Sequence, residues 1–155
     1  MKKLKIMFVC TGNTCRSAMA EAIFKDLAVK NNISADVFSC GIFAVDGEKA
    51  TNMAIKAMEN IGIDLNNHLA TNINNSDINN MDVILCATKE HKMLVKEMYP
   101  NLKEKIFTIK EYAYGLDIEY KDIKDPWGYS LETYVKVEKE LEECIKKIIL
   151  KLKNK

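Results

Sequence analysis

Short apolar runs alternate with longer stretches of helical period along this chain, and that alternation limits the fold more than any other feature. The runs Leu4–Cys10, Val37–Cys40, Asp82–Ala87 and Lys105–Ile109 read as strands. The stretches Ser17–Lys30, Ala50–Ile61, Glu90–Tyr99 and Leu131–Leu152 read as helices. The last carries apolar residues at 131, 134, 135, 137, 141, 145, 148, 149 and 152, close to one helical stripe. Such an order predicts an α/β fold: a three-layer sandwich whose four-stranded parallel sheet has helices on both faces. No repeat, linker or Pro/Gly/Ser-rich stretch divides the chain, so one domain over residues 1–155 is expected. The polar segments "NNISAD" and "NINNSDINN" read as surface loops.

A chain of 155 residues can bury a core without disulfide or metal staples, and 48% hydrophobic with 29% charged residues is an ordinary globular composition. A net charge of +1 provides no global field that would favour nucleic acid or an acidic membrane as a partner. The opening "MKKLKIMFVC" is basic, but its apolar part, Ile6–Val9, is too short for a signal peptide or a membrane span. A cytoplasmic protein with no membrane partner is expected. Cys10, Cys15, Cys40, Cys86 and Cys144 are odd in number and follow no framework spacing, which argues against a secreted disulfide scaffold. No second Cys/His pair accompanies Cys10 and Cys15, so neither metal nor cofactor is expected. Cys40, Cys86 and Cys144 read as core residues, and His91 as solvated helix surface.

The stretch "FVCTGNTCRSAMAE" joins the first strand to the first helix. Ligands of parallel sheets bind beyond the carboxyl ends of strands, so this loop is placed for a site. A compact loop entering a helix N-terminus aims backbone N–H groups at one point and favours an anion there. Gly12 and Asn13 tolerate the positive φ that such a nest uses. Arg16 adds a planar fork matched to phosphate oxygens. Cys10 would lie at the floor of this electropositive cradle, where the thiolate, a competent nucleophile, is favoured. Ser17 can donate to that thiolate and also serve the helix start. An oxidised Cys10 could be trapped by Cys15 as a reversible disulfide; alternatively Cys15 only packs beneath the loop. A phosphoryl transfer to Cys10 needs an acid for the leaving group and a base for water, and Asp125 in "DPWG" can serve as both in turn. Pro126 stiffens that segment and Trp127 offers a flat wall to a substrate side chain. Tyr112 and Tyr114 either line the cleft or pack beside a strand end.

These residues resemble the phosphate-binding loop of the low-molecular-weight protein tyrosine phosphatases. The likeness extends along the chain: "FSCGI" is similar to the family's second-strand Ser-x-Gly motif, "IDLNNHLA" to its His segment, "DVILCAT" to its third strand and "DPWG" to its acid segment. The resemblance implies Cys10 as nucleophile, Arg16 as transition-state clamp and Asp125 as general acid. Thr11, Gly12, Asn13, Thr14, Cys15 and Ser17 would cradle the phosphate, with Trp127 beside the substrate. Ser39 and His68 would join Asn13 and Ser17 in the network that holds the loop. Ala18 replaces the proline usual after Arg-Ser, which changes rigidity more than chemistry.

Within the family, Thr14, "FTIKEY" and the single aromatic followed by glycine in "DPWG" resemble the bacterial protein arginine phosphatase branch. The expected substrates are therefore phosphoarginine-bearing proteins, acted on by a monomer whose loop also takes inorganic phosphate or similar oxyanions. A tyrosine phosphatase is the alternative. An arsenate reductase would relay oxidation through two further neighbouring cysteines, but Cys86 stands alone. A non-catalytic phosphate-binding module would lack the nucleophile or the acid, and Cys10 and Asp125 are both present.

Overall fold

Along the first strand, alternate side chains enter two different cores. Ile6, Phe8 and Cys10 join one, and Met7 and Val9 the other, as a strand period of two requires. Burial on both sides marks this strand as central. A computed structural model describes residues 3–155. Strands β1 (Leu4–Cys10), β2 (Ala35–Gly41), β3 (Val83–Cys86) and β4 (Ile106–Thr108) form one parallel sheet in the order β2-β1-β3-β4. Helices α1 (Arg16–Lys30), α2 (Asn52–Glu59), α4 (Ile109–Tyr114) and α5 (Leu131–Lys153) cover the Ile6–Phe8 face; α3 (Lys89–Met98) and short 3-10 turns cover the other. The chain passes from β1 to β2 on one side, then to β3 on the other. That reversal opens a crevice at the carboxyl end of β1, where Cys10 stands.

The predicted α/β sandwich is the observed fold, with local differences. β2 begins inside "NNISAD", at Ala35, because it pairs with β1 over its full length, from Leu4↔Ala35 to Cys10↔Gly41. "NINNSDINN" is not wholly a surface loop: two 3-10 turns drive Ile73 and Ile78 into the core, with Asn72 capping the first. α2 is shorter than the predicted Ala50–Ile61, starting after the Thr51 cap and ending before Gly62, which has φ +76°. α4 was not expected. Its signal is the Thr-x-x-Glu box at Thr108 and Glu111, whose side chains cap one another's backbone. Cys40, Cys86 and Cys144 are core residues as predicted, and burial pushes the Cys40 thiol up to about 12 and the Cys144 thiol up to about 11.

The α5 stripe contains one charged residue, Glu138, only 1% exposed, whose Oε2 has no hydrogen-bond partner among the described residues. Burial, then the neighbouring Glu142, pushes its carboxyl up to about 7 from an ordinary 4.5. The native state therefore binds the extra proton between pH 4.5 and 7, and stability falls as pH rises through that window and stays low above it. Glu138→Gln should raise the unfolding free energy by about 1–2 kcal/mol at pH 8, allowing for solvent screening, and by little at pH 4. Thermal melts at both pH values check this; an equal shift at both would remove the buried carboxyl as the cause.

Candidate active site

The loop from Thr11 to Cys15 turns on Asn13, which adopts φ +58° and is fully buried. Gly12, which also tolerates positive φ, does not adopt it. Asn13 tolerates this conformation because all its polar groups are engaged. Its side-chain Nδ2 donates to Ser17 Oγ at 2.7 Å and Ser39 Oγ at 2.9 Å, and its Oδ1 accepts from Thr71 N at 2.9 Å. Its carbonyl accepts from His68 Nε2 at 2.7 Å, which requires the proton on Nε2. Ser39 in turn donates to Glu21 Oε1 at 2.5 Å. Gly41 lets β2 pass against the loop, since a Cβ there would stand 2.6 Å from Thr11 O and 2.8 Å from Asn13 N.

At the floor lies Cys10 Sγ. It accepts from Asn13 N at 3.3 Å and stands 2.9 Å from Ser17 Oγ. Ser17 already accepts from Asn13, so its own proton can go to the sulfur or to Cys40 O, 3.4 Å away. Ser17 does not cap α1, as the sequence suggested; Cys15 is the N-cap, with no side-chain cap bond, and Ser17 lies in the first turn. The amides of Gly12, Thr14 and Cys15 find no acceptor among the described residues. Arg16 is buried, with Nη1 donating to Ile123 O at 3.1 Å and Nε without a partner among the described residues. Unpaired donors gathered around one sulfur at a helix start form a site for an oxyanion.

Asp125 Oδ2 lies 3.6 Å from Arg16 Nη2, and Asp125 Oδ1 accepts from Trp127 N at 3.1 Å. Its segment is docked on the end of β3 by Ile123 N donating to Ala87 O at 2.8 Å. A cleft of about 290 Å³ brings together Cys10, Thr11, Gly12, Thr14, Cys15, Arg16, Asp125 and Trp127. The Cys15 sulfur lies 3.5 Å from Tyr134 Oη and 3.6 Å from Thr51 Oγ1. Tyr112 and Tyr114 are not in this cleft: Tyr112 packs on Phe107, and Tyr114 lies beneath Lys147. A larger cavity of about 520 Å³ reaches Ser39 and His68 from behind and does not include Cys10. No group of three or more His, Cys, Asp or Glu among the described residues could hold a metal ion, and no helix is long and apolar enough to cross a membrane.

His91 was misread as solvated surface. It is 7% exposed, with Nε2 2.8 Å from Thr11 Oγ1 and Nδ1 2.9 Å from Thr88 Oγ1. Burial, then the Arg16 charge, pushes its pKa down to about 4, so the ring is neutral at pH 7. Thr88 caps α3 and His91 follows three residues later, so the helix start turns the ring toward the loop. The position of α3 after a strand adjoining β1 was the available signal. Glu21 and Glu48 were also passed over; Glu21 lay within the quoted loop motif, whereas nothing local singled out Glu48.

A thiol in an anion cradle with a carboxylate lining the same cleft is the arrangement of a cysteine-dependent phosphatase. A model of the low molecular weight phosphotyrosine protein phosphatase family matches residues 5–155, and the chain belongs to that family. It is 37% identical over 150 residues to a protein-arginine-phosphatase of Bacillus subtilis, covering 97% of each chain. It is 33% identical to the low molecular weight protein-tyrosine-phosphatase PtpB of Staphylococcus epidermidis, covering 96% of this chain and 99% of the relative. Among solved structures, a YwlE arginine phosphatase variant with a phosphorylated active-site serine superposes with a TM-score of 0.91 at 37% identity, covering 97% of this chain and 96% of that one.

Proposed function

We propose that this chain is a single-domain cytoplasmic enzyme, acting as a monomer, that removes phosphate from phosphoarginine side chains of proteins. Cys10 thiolate attacks phosphorus, and the P–N bond breaks with its electron pair staying on nitrogen. Asp125 supplies that nitrogen with a proton. Asp125 then takes a proton from water as the water oxygen attacks the phosphocysteine, and the S–P bond breaks to release phosphate. Arg16 and the loop amides hold the phosphoryl oxygens throughout. Ser17, Asn13, Ser39 and His68 hold the loop in shape. The observation that carries this reading is the set of unpaired donors, the loop amides and Arg16 Nε, gathered around Cys10 with Asp125 beside them. The Cys10–Cys15 disulfide also remains a proposal; it would require Cys15 to leave its contacts with Tyr134 and Thr51.

Thr14 supports the arginine preference. It lines the cleft on the loop that holds the phosphate, where a hydroxyl leaves room for a planar polar group. Thr14→Ile should depress phosphoarginine turnover and raise phosphotyrosine turnover, because the larger apolar side chain crowds a guanidinium and packs on a phenyl ring. A pocket change of this size is worth roughly 10–200-fold in kcat/KM. Matched peptides bearing each phosphoresidue, assayed on both proteins, test it. A wild type that prefers phosphotyrosine would replace this reading with the tyrosine-phosphatase alternative.

Asp125→Asn should slow phosphopeptides by about 10²–10⁴-fold. Activated aryl phosphates, whose leaving groups need little protonation, should be much less affected. Equal slowing of both classes would assign Asp125 to the shape of its turn instead.

A further inference from the structure

The connection between β2 and α2 puts a second acidic residue, Glu48, beside Asp125 on the lining of the cleft. This connection is stitched to the phosphate loop at both ends: Phe43 N donates to Thr11 O at 2.9 Å, and Thr51 N to Thr14 O at 3.1 Å. Its crest is fixed from the other side, where Gly47 N donates to Ala70 O at 2.9 Å and Ala70 N to Glu48 O at 2.7 Å. Gly47, at φ +88°, permits the turn. Glu48 is thereby held in place relative to Thr14 and lines the same cleft as Cys10, Arg16, Asp125 and Trp127.

Asp125 has Arg16 nearby, but the Glu48 carboxylate has neither a hydrogen bond nor an ion pair with any described residue. Negative charge on the wall of a phosphate pocket repels a phosphoryl dianion. It becomes favourable where the substrate brings positive charge to the same wall. A phosphorylated arginine does so, since its guanidinium keeps outward-facing N–H groups in a planar fork that matches a carboxylate. We infer that Glu48 is a specificity-determining residue that accepts hydrogen bonds from the substrate guanidinium, an inference that rests on the phosphoarginine reading.

Its attraction persists through the reaction. When the P–N bond breaks, nitrogen keeps the bonding pair and takes the Asp125 proton, so the released arginine is a full guanidinium, no longer partly neutralised by its own phosphate. Glu48 therefore binds the departing group more strongly than the ground state and favours the transition state.

The test compares wild type with Glu48→Gln, which keeps shape and removes charge. It uses a phosphoarginine peptide, a matched phosphotyrosine peptide and inorganic phosphate as inhibitor. Phosphoarginine kcat/KM should fall roughly tenfold. Phosphotyrosine kcat/KM should rise and inhibition by inorganic phosphate should tighten, because a repulsive charge has gone. These opposite signs are what a loss of fold or of general catalysis cannot produce. If wild type hydrolyses phosphoarginine and the variant changes both peptides alike, or neither, the role of Glu48 is overturned while the phosphoarginine reading stands. If wild type fails on phosphoarginine, both are overturned.

Discussion

Cys10→Ser is expected to abolish turnover of every substrate while the protein still binds inorganic phosphate. A serine hydroxyl in this cradle is a far weaker nucleophile than a thiolate, and in the second step the serine alkoxide is a far poorer leaving group from phosphorus than a thiolate. The expected loss is on the order of 10⁵ in kcat. Binding survives because the unpaired donors belong to the amides of Gly12, Thr14 and Cys15 and to Arg16, none of which the substitution removes. A phosphorylated active-site serine, as in the solved arginine phosphatase variant, is the species expected to accumulate slowly. Acid-quenched wild type should carry phosphate on Cys10. Phosphate trapped on any other residue would refute the assignment.

Arg16→Lys should be nearly as damaging as Arg16→Ala, with kcat lower by about 10³ or more. The guanidinium divides its donors: Nη1 holds Ile123 O, Nη2 faces Asp125, and Nε, without a partner among the described residues, is the donor expected to meet the phosphoryl group. An ammonium is a single point and cannot do all of these from one position. Loss of the Ile123 contact would also loosen the segment that carries Asp125. Turnover with one aryl phosphate, measured as kcat and KM separately, reads this directly. A lysine variant with near-normal kcat would show that charge alone suffices.

Much of the fold was legible because it depends on neighbours in sequence. The first strand was predicted with its observed ends, since its apolar run is bounded by charge on one side and by turn residues on the other. The α5 stripe was visible as helical periodicity, and Glu138, four residues after Tyr134 and three before Leu141, falls on that same buried face although its charge kept it out of the predicted stripe. The nest was recognisable because strand, loop and helix follow one another directly. Where the reading failed, composition stood in for position. "NINNSDINN" is polar by count, yet its two isoleucines are the residues that the turns press into the core.

The sequence by itself determined the strand–loop–helix unit, the placing of Cys10 and Arg16 at the two ends of its loop, and the conformational tolerance of Asn13. These rest on φ preference, on periodicity and on groups within a few residues of one another. Tertiary structure alone decided what holds and surrounds them. His68 reaches Asn13 across 55 residues and His91 reaches Thr11 across 80, each because parallel pairing around β1 brings distant loops to the same edge of the sheet. Glu48 enters the cleft by the same route: Ala70 N donates to its carbonyl, and Phe43 and Thr51 on either side of it bond Thr11 and Thr14, contacts that no local pattern announces. The reason is physical: a buried polar group must find a partner, but the chain topology, not its own neighbours, determines which partner is within reach.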